Sequence, residues 1–197
     1  SIEGKKSRKV VEFGIEALKA VWHRGAVDAD GKTGDGAGIH LEIPSDFFGE
    51  KIELVGHKHD DSEICVGMIF LPRNNYAAQE NCRILVEKEL TKSNFSIYGW
   101  RQVPVNTKVL GEKANLTRPE IIQVLFKHND RDLVGKDLER RLYESRRKIE
   151  KEAISSQLDG FYICSLSSRS IIYKGMFLAE SISDFYIDLK DKRFISR

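Results

Sequence analysis

Ser1 is the first residue whose type and place could do chemistry. Some hydrolases use an N-terminal Ser, Thr or Cys whose own α-amine acts as base, and Ser1 stands at that place. The next candidates lie in Asp28–Gly38, which holds Gly31, Gly34, Gly36 and Gly38 with Asp28, Asp30 and Asp35. Gly31-Lys32-Thr33 has the look of the end of a phosphate-binding loop. The first glycine of that motif would fall at position 26, which holds Ala26, and a helical pattern precedes it where a strand is required. Gly34, Gly36 and Gly38 fail the dinucleotide fingerprint, because Ile39 and Leu41 stand where its third glycine belongs and a strand pattern follows. The glycines read better as freedom to turn tightly between a helix and a strand. His57, His59, Asp60 and Asp61 carry metal-ligand types, but their spacing matches no established site and reads as a hydrated loop. We expect no metal site.

The positively charged cluster Arg140, Arg141, Arg146, Arg147 and Lys148 invites a phosphate reading. Glu139, Glu144, Glu150 and Glu152 are interleaved with it, so the segment reads as a solvated helix face whose mixed signs cancel at a distance. The formal net charge of +2 argues against non-specific nucleic-acid binding. No apolar run reaches the length of a membrane helix, so no membrane partner is expected, and no signal peptide is visible. Cys65, Cys82 and Cys164 are few, widely spaced and set among apolar residues. They read as buried reduced thiols of a cytosol-like compartment.

The elements that must position these residues follow from periodicity. Ser7 can cap a helix reaching about His23, with Val10, Val11, Gly14, Ile15, Leu18, Val21 and Trp22 on one face and Gly25 as a stop. Ile39, Leu41 and Ile43 alternate as a half-buried strand. Pro44 ends it, and Ser45 opens a short helix carrying Phe47 and Phe48. Lys51–Asp61 reads as a polar loop, Ile64–Leu71 as a buried strand and Ala77–Leu90 as a helix. Phe95–Val105 reads as a strand whose end Pro104 confines to an edge. Ile121–Phe126 fits strand or helix, with strand favoured. Asp137–Ser155 reads as a long charged helix. Phe161–Ser167 and Ser170–Lys174 read as a hairpin around Ser168-Arg169, and Glu180–Leu189 as a short helix. Helices flank short groups of strands, so the class is α+β.

Several runs in order carry a resemblance. They are Trp22-His23-Arg24-Gly25-Ala26, Thr33-Gly34-Asp35-Gly36-Ala37-Gly38-Ile39, Ile43-Pro44 and Val66-Gly67-Met68-Ile69-Phe70-Leu71-Pro72. Further along come Gly99-Trp100-Arg101-Gln102-Val103-Pro104-Val105-Asn106, Leu110-Gly111-Glu112-Lys113-Ala114, Phe161 through Arg169, and Ile172 through Met176. In this order the chain resembles the glutaminase domain of glutamate synthases, which are class II glutamine amidotransferases.

The resemblance implies a partial four-layer α/β/β/α sandwich of the N-terminal-nucleophile hydrolase type, with residues 1–197 forming a single incomplete domain. The family's nucleophilic cysteine and first strand lie before the position of Ser1, and its glutamine-binding arginine and oxyanion hole lie beyond Arg197. No catalytic residue is therefore expected within the chain, and the chain alone is expected to be inactive. The absent first strand would leave a gap or an open sheet edge. A standalone, non-catalytic binding or regulatory module derived from the same domain is the alternative.

Arg24, Gly25 and Asp35 are the retained residues expected to support the substrate site. Arg24 either lowers a nearby thiol pKa or orients a substrate carboxylate, or else only holds the helix end to the glycine loop. His23 reads as structural. In the intact family the ligand is glutamine, and ammonia passes to a separate domain carrying FMN and an iron–sulfur cluster. The implied partners are the remaining glutamate synthase domains and an electron donor, either an NAD(P)H-linked small subunit or ferredoxin. The implied compartment is the cytoplasm, or the plastid of a photosynthetic eukaryote. No cofactor is expected within these residues.

Overall fold

A computed structural model describes residues 4–21, 25–58 and 64–197. The elements are α1 (Arg8–Ala20), β1 (Ala37–Glu42), α2 (Ser45–Leu54), β2 (Cys65–Leu71), α3 (Tyr76–Lys92) and β3 (Phe95–Gln102). They continue with α4 (Glu112–Thr117), β4 (Glu120–His128), α5 (Gly135–Ser155), β5 (Tyr162–Ser167), β6 (Ser170–Gly175) and α6 (Ile182–Phe185). Helices combine with antiparallel sheets, which is the α+β class read from the sequence. The chain divides into two compact units.

One unit holds residues 45–102 and 119–171. Its four-stranded sheet has the order β3-β4-β2-β5, and each neighbouring pair is antiparallel. The continuous apolar run Cys65–Leu71 becomes β2, which pairs with β4 on one side and β5 on the other. Period-two alternation sends Cys65, Ile69, Ile122, Val124 and Phe126 into one core. That core is closed by Cys82, Leu85, Val86 and Leu90 of α3 and by Leu138, Leu142, Ile149 and Ala153 of α5. Asn75 caps α3 by accepting the Ala78 amide at 2.9 Å. On α5 Arg146 and Arg147 both meet Glu150 and Arg140 meets Glu144, while Arg146 also donates to the Ile163 carbonyl of β5. The pairing within the helix is the solvated face expected from the alternation of signs. Pro104 follows β3, which is an edge strand.

The other unit holds residues 1–44, 103–118 and 172–197. β1 and β6 form a two-stranded sheet. Beside it lies an aromatic cluster of Tyr173, Phe177, Phe185, Tyr186 and Phe194, all at most 2% exposed. The Tyr186 hydroxyl donates to the Lys174 carbonyl at 2.7 Å, and the Tyr173 hydroxyl to Asp188 Oδ2 at 3.2 Å. Arg8 staples α1 to the end of the chain by donating to the carbonyls of Leu189, Asp191 and Phe194.

Four expectations change. The segment Lys51–Asp61 is not all loop: α2 runs to Leu54, because Ile52, one turn after Phe48, is fully buried. Ser7 occupies the N-cap of α1, but its side chain makes no capping bond; its backbone pairs instead with Ser196. β5 and β6 are consecutive but form no hairpin, since β5 pairs with β2 and β6 with β1. Glu139 fixes the turn between them, accepting the Ser168 amide and the Ser167 and Ser168 hydroxyls. Finally, Glu180–Leu189 breaks into the short helix α6 between 3-10 turns at Ala179–Ser181 and Ile187–Lys190. Tyr186 is drawn into an extended conformation by its bridge to Val105.

Candidate functional site

The glycine-rich loop after α1 is a tightly closed structure. The Asp28 amide donates to the Thr33 carbonyl and the Gly31 amide to the Asp28 carbonyl, both at 2.9 Å. The Asp35 amide returns to the Ala26 carbonyl at 3.2 Å, and Val27 bridges Gly34. Asp30 organises the tip. Its carboxylate accepts the amides of Lys32 (2.9 Å) and Thr33 (2.7 Å) and the Thr33 hydroxyl (2.6 Å). This is the local side-chain-to-backbone bonding that short acidic residues favour in turns. Gly34 is required for packing: a Cβ there would lie 2.8 Å from the Phe177 carbonyl oxygen.

These bonds hold the Asp30 carboxyl down from its ordinary value of 3.8 to about 2, the Thr33 hydroxyl contributing most. The folded value lies below the unfolded one, so the contribution to stability is present above about pH 4 and is lost as pH falls through about 2. We expect the Asp30 carboxyl carbon, followed by NMR through an acid titration, to show its midpoint near 2. A midpoint near 3.8 would contradict the bonding described.

Gly25 and Asp35 line one cavity of about 510 Å³. Leu18 of α1, Val21 just after it, Val27 and Phe177 supply apolar wall, and Glu180 lines the same cavity as Asp35. Two of the three residues singled out for substrate support thus meet at one cavity of small-ligand size. Arg24 and His23 lie outside the described residues, as do Ser1, His59, Asp60 and Asp61. His57 is exposed and rests edge-on against the Tyr98 ring, 5.6 Å between centroids. The sequence reading missed Asp30, Phe177 and Glu180. Only the order Asp30-Gly31-Lys32-Thr33, an acidic residue three places before a threonine in a turn, signalled the role of the first.

Among the described residues the donors for a metal or iron–sulfur cluster do not fit. Among the described residues no three His, Cys, Asp or Glu side chains are placed to hold a metal ion. All three cysteines are buried, and burial pushes the Cys82 thiol up to about 11, away from the thiolate that ligates iron. No helix of the described residues is long and apolar enough to cross a membrane.

Comparison with known proteins agrees with the motif order. The family model described as "Glutamine amidotransferases class-II" matches residues 1–197. The chain is 57% identical over 196 residues to the glutamate synthase [NADPH] large chain of Azospirillum brasilense, a match covering 100% of this chain and 13% of that protein. It is 36% identical over 199 residues to the chloroplastic ferredoxin-dependent glutamate synthase of Spinacia oleracea, covering 100% of this chain and 12% of the relative. To ferredoxin-dependent glutamate synthase 2 of a Synechocystis strain it is 36% identical over 197 residues, with the same 100% and 12% coverage.

Proposed function

Because the chain belongs to the class II glutamine amidotransferases, we propose that it is part of the glutamine-hydrolysing domain of a glutamate synthase large chain, residues 1–197 falling within that single domain. The observation that carries this reading is the meeting of Gly25 and Asp35 at one cavity. Arg24, adjacent to Gly25 in the chain, is assigned to the same site, where its guanidinium orients a carboxylate or favours a thiolate.

The chemistry is amide hydrolysis through a thioester. A cysteine thiolate adds to the side-chain carbonyl of glutamine. The C–N bond breaks with a proton delivered to nitrogen, and ammonia leaves. Water then cleaves the thioester, giving glutamate and regenerating the thiol. The nucleophile is none of the chain's own cysteines. Cys65, Cys82 and Cys164 are buried in the unit that does not contain the cavity. On this reading the 197 residues alone do not hydrolyse glutamine.

The FMN and iron–sulfur cluster belong to other domains of the parent enzyme, which uses the ammonia with 2-oxoglutarate to make glutamate. Those domains and an electron donor, NAD(P)H-linked or ferredoxin, are the partners. The compartment is the cytoplasm, or the plastid in a photosynthetic eukaryote.

Ammonia release from glutamine tests the reading. The 197-residue chain alone should release none, while the protein with the flanking sequence of its own gene should turn glutamine over. Turnover by the chain alone, or none by the extended protein, would refute the assignment.

A further inference from the structure

We propose that Asp28, Asp30 and the start of α4 at Gly111–Lys113 form a clamp that positions the cavity loop for its substrate, making Lys113 and Asp28 positioning residues of the site. The inference rests on the reading of the cavity as the glutamine site.

Four glycines within Asp28–Gly38 make the loop costly to order, so something beyond its own backbone must hold its shape. Asp30 ties the tip internally, but its carboxylate also interacts with the Glu112 amide at the start of α4. The Lys113 ammonium meets Asp28 Oδ2 at 2.9 Å, across 85 positions of sequence. Gly111 lets the two backbones close. A Cβ on it would lie 2.6 Å from the Thr33 amide nitrogen and would collide with the Asp30 carboxylate and the Thr33 hydroxyl. These contacts fall on Asp28, Asp30 and Thr33, which alternate along the loop with the cavity-lining residues Val27, Gly31 and Asp35. The bonds Asp28 to Thr33 and Asp35 to Ala26 are rungs of one ladder. A shift at the clamped rung is therefore carried to the rung beside the cavity.

The ion pair stands largely in solvent, its side chains 71% and 37% exposed. Exposed pairs contribute little to stability. Breaking this one should leave the fold intact and change where Asp35 sits, and that separates positioning from stability. Losing a contact made equally with substrate and transition state raises KM and leaves kcat unchanged.

The test is a charge swap in the flank-extended protein. Lys113→Asp should raise KM for glutamine about tenfold with kcat within about twofold. Adding Asp28→Lys to it should bring KM back to within about twofold of the parent. Lys148→Asp, on the solvated face of α5, should change neither constant. An unchanged KM in Lys113→Asp, or a swap that fails to restore it, overturns the clamp. Amide exchange at Thr33 and Asp35 in the same proteins reads the clamp without turnover: exchange should quicken in Lys113→Asp and slow again in the swap. If the parent does not turn glutamine over, the functional reading falls. The exchange pattern then decides the clamp on its own, and no change in exchange overturns it.

Discussion

Replacing Phe177 with alanine is expected to cost ~3–5 kcal/mol, among the largest losses available to a single substitution in this chain. Phe177 is 1% exposed, and its ring packs tilted against Phe185 at 5.1 Å and edge-on to Tyr186 at 6.1 Å. Its carbonyl is the surface on which Gly34 rests. Removal of the ring takes away apolar burial and leaves a void. The neighbours cannot fill that void, because Tyr186 is tied by its hydroxyl to Lys174. Phe177 also lines the cavity and its backbone lies against Gly34, so the variant should also disturb the loop that carries Asp35. Phe177→Leu, which keeps most of the volume, should cost roughly 1–2 kcal/mol. Urea unfolding of both variants beside the parent measures this. Equal midpoints for parent and alanine variant would contradict the packing described.

Phe126→Ala should cost a similar ~3–5 kcal/mol in the other unit. Phe126 lies on the inward face of β4, fully buried, paired in register with Cys65 of β2 and edge-on to Phe95 of β3 at 5.3 Å. It therefore joins three strands to the layer formed by α3 and α5. A thermal scan should show the midpoint lowered by roughly 10 °C. A shift under about 2 °C would mean that the helices do not depend on this ring for their seat.

Those two rings differ in how visible they were. Phe126 lies in Ile121–Phe126, a run read as ambiguous with strand favoured, and it forms β4. β2 was legible because a strand buried on both faces is apolar throughout, and α3 because Cys82, Leu85, Val86 and Leu90 recur at helical spacing. Phe177 sits in a segment with no periodicity, between β6 and a 3-10 turn. Its importance comes from what it touches. The hairpin expectation failed for a related reason. Two alternating segments and a two-residue turn specify a hairpin when only local bonds count. Strand pairing, however, depends on which edges the rest of the sheet leaves open, and here those were β2 and β1.

The candidate site divides along the same line. Residue type and order alone determined that a glycine- and aspartate-rich turn follows a helix and precedes a strand. They determined the family through motifs arranged in sequence, because such features are local in the chain. Tertiary structure alone decided that Gly25 and Asp35 face one cavity with Phe177 and Glu180, and that Lys113 reaches Asp28 across 85 residues. It likewise decided that Gly111 is a glycine because Thr33 lies against it. Contacts of that kind join residues through space, and a sequence carries the residues without the distances between them.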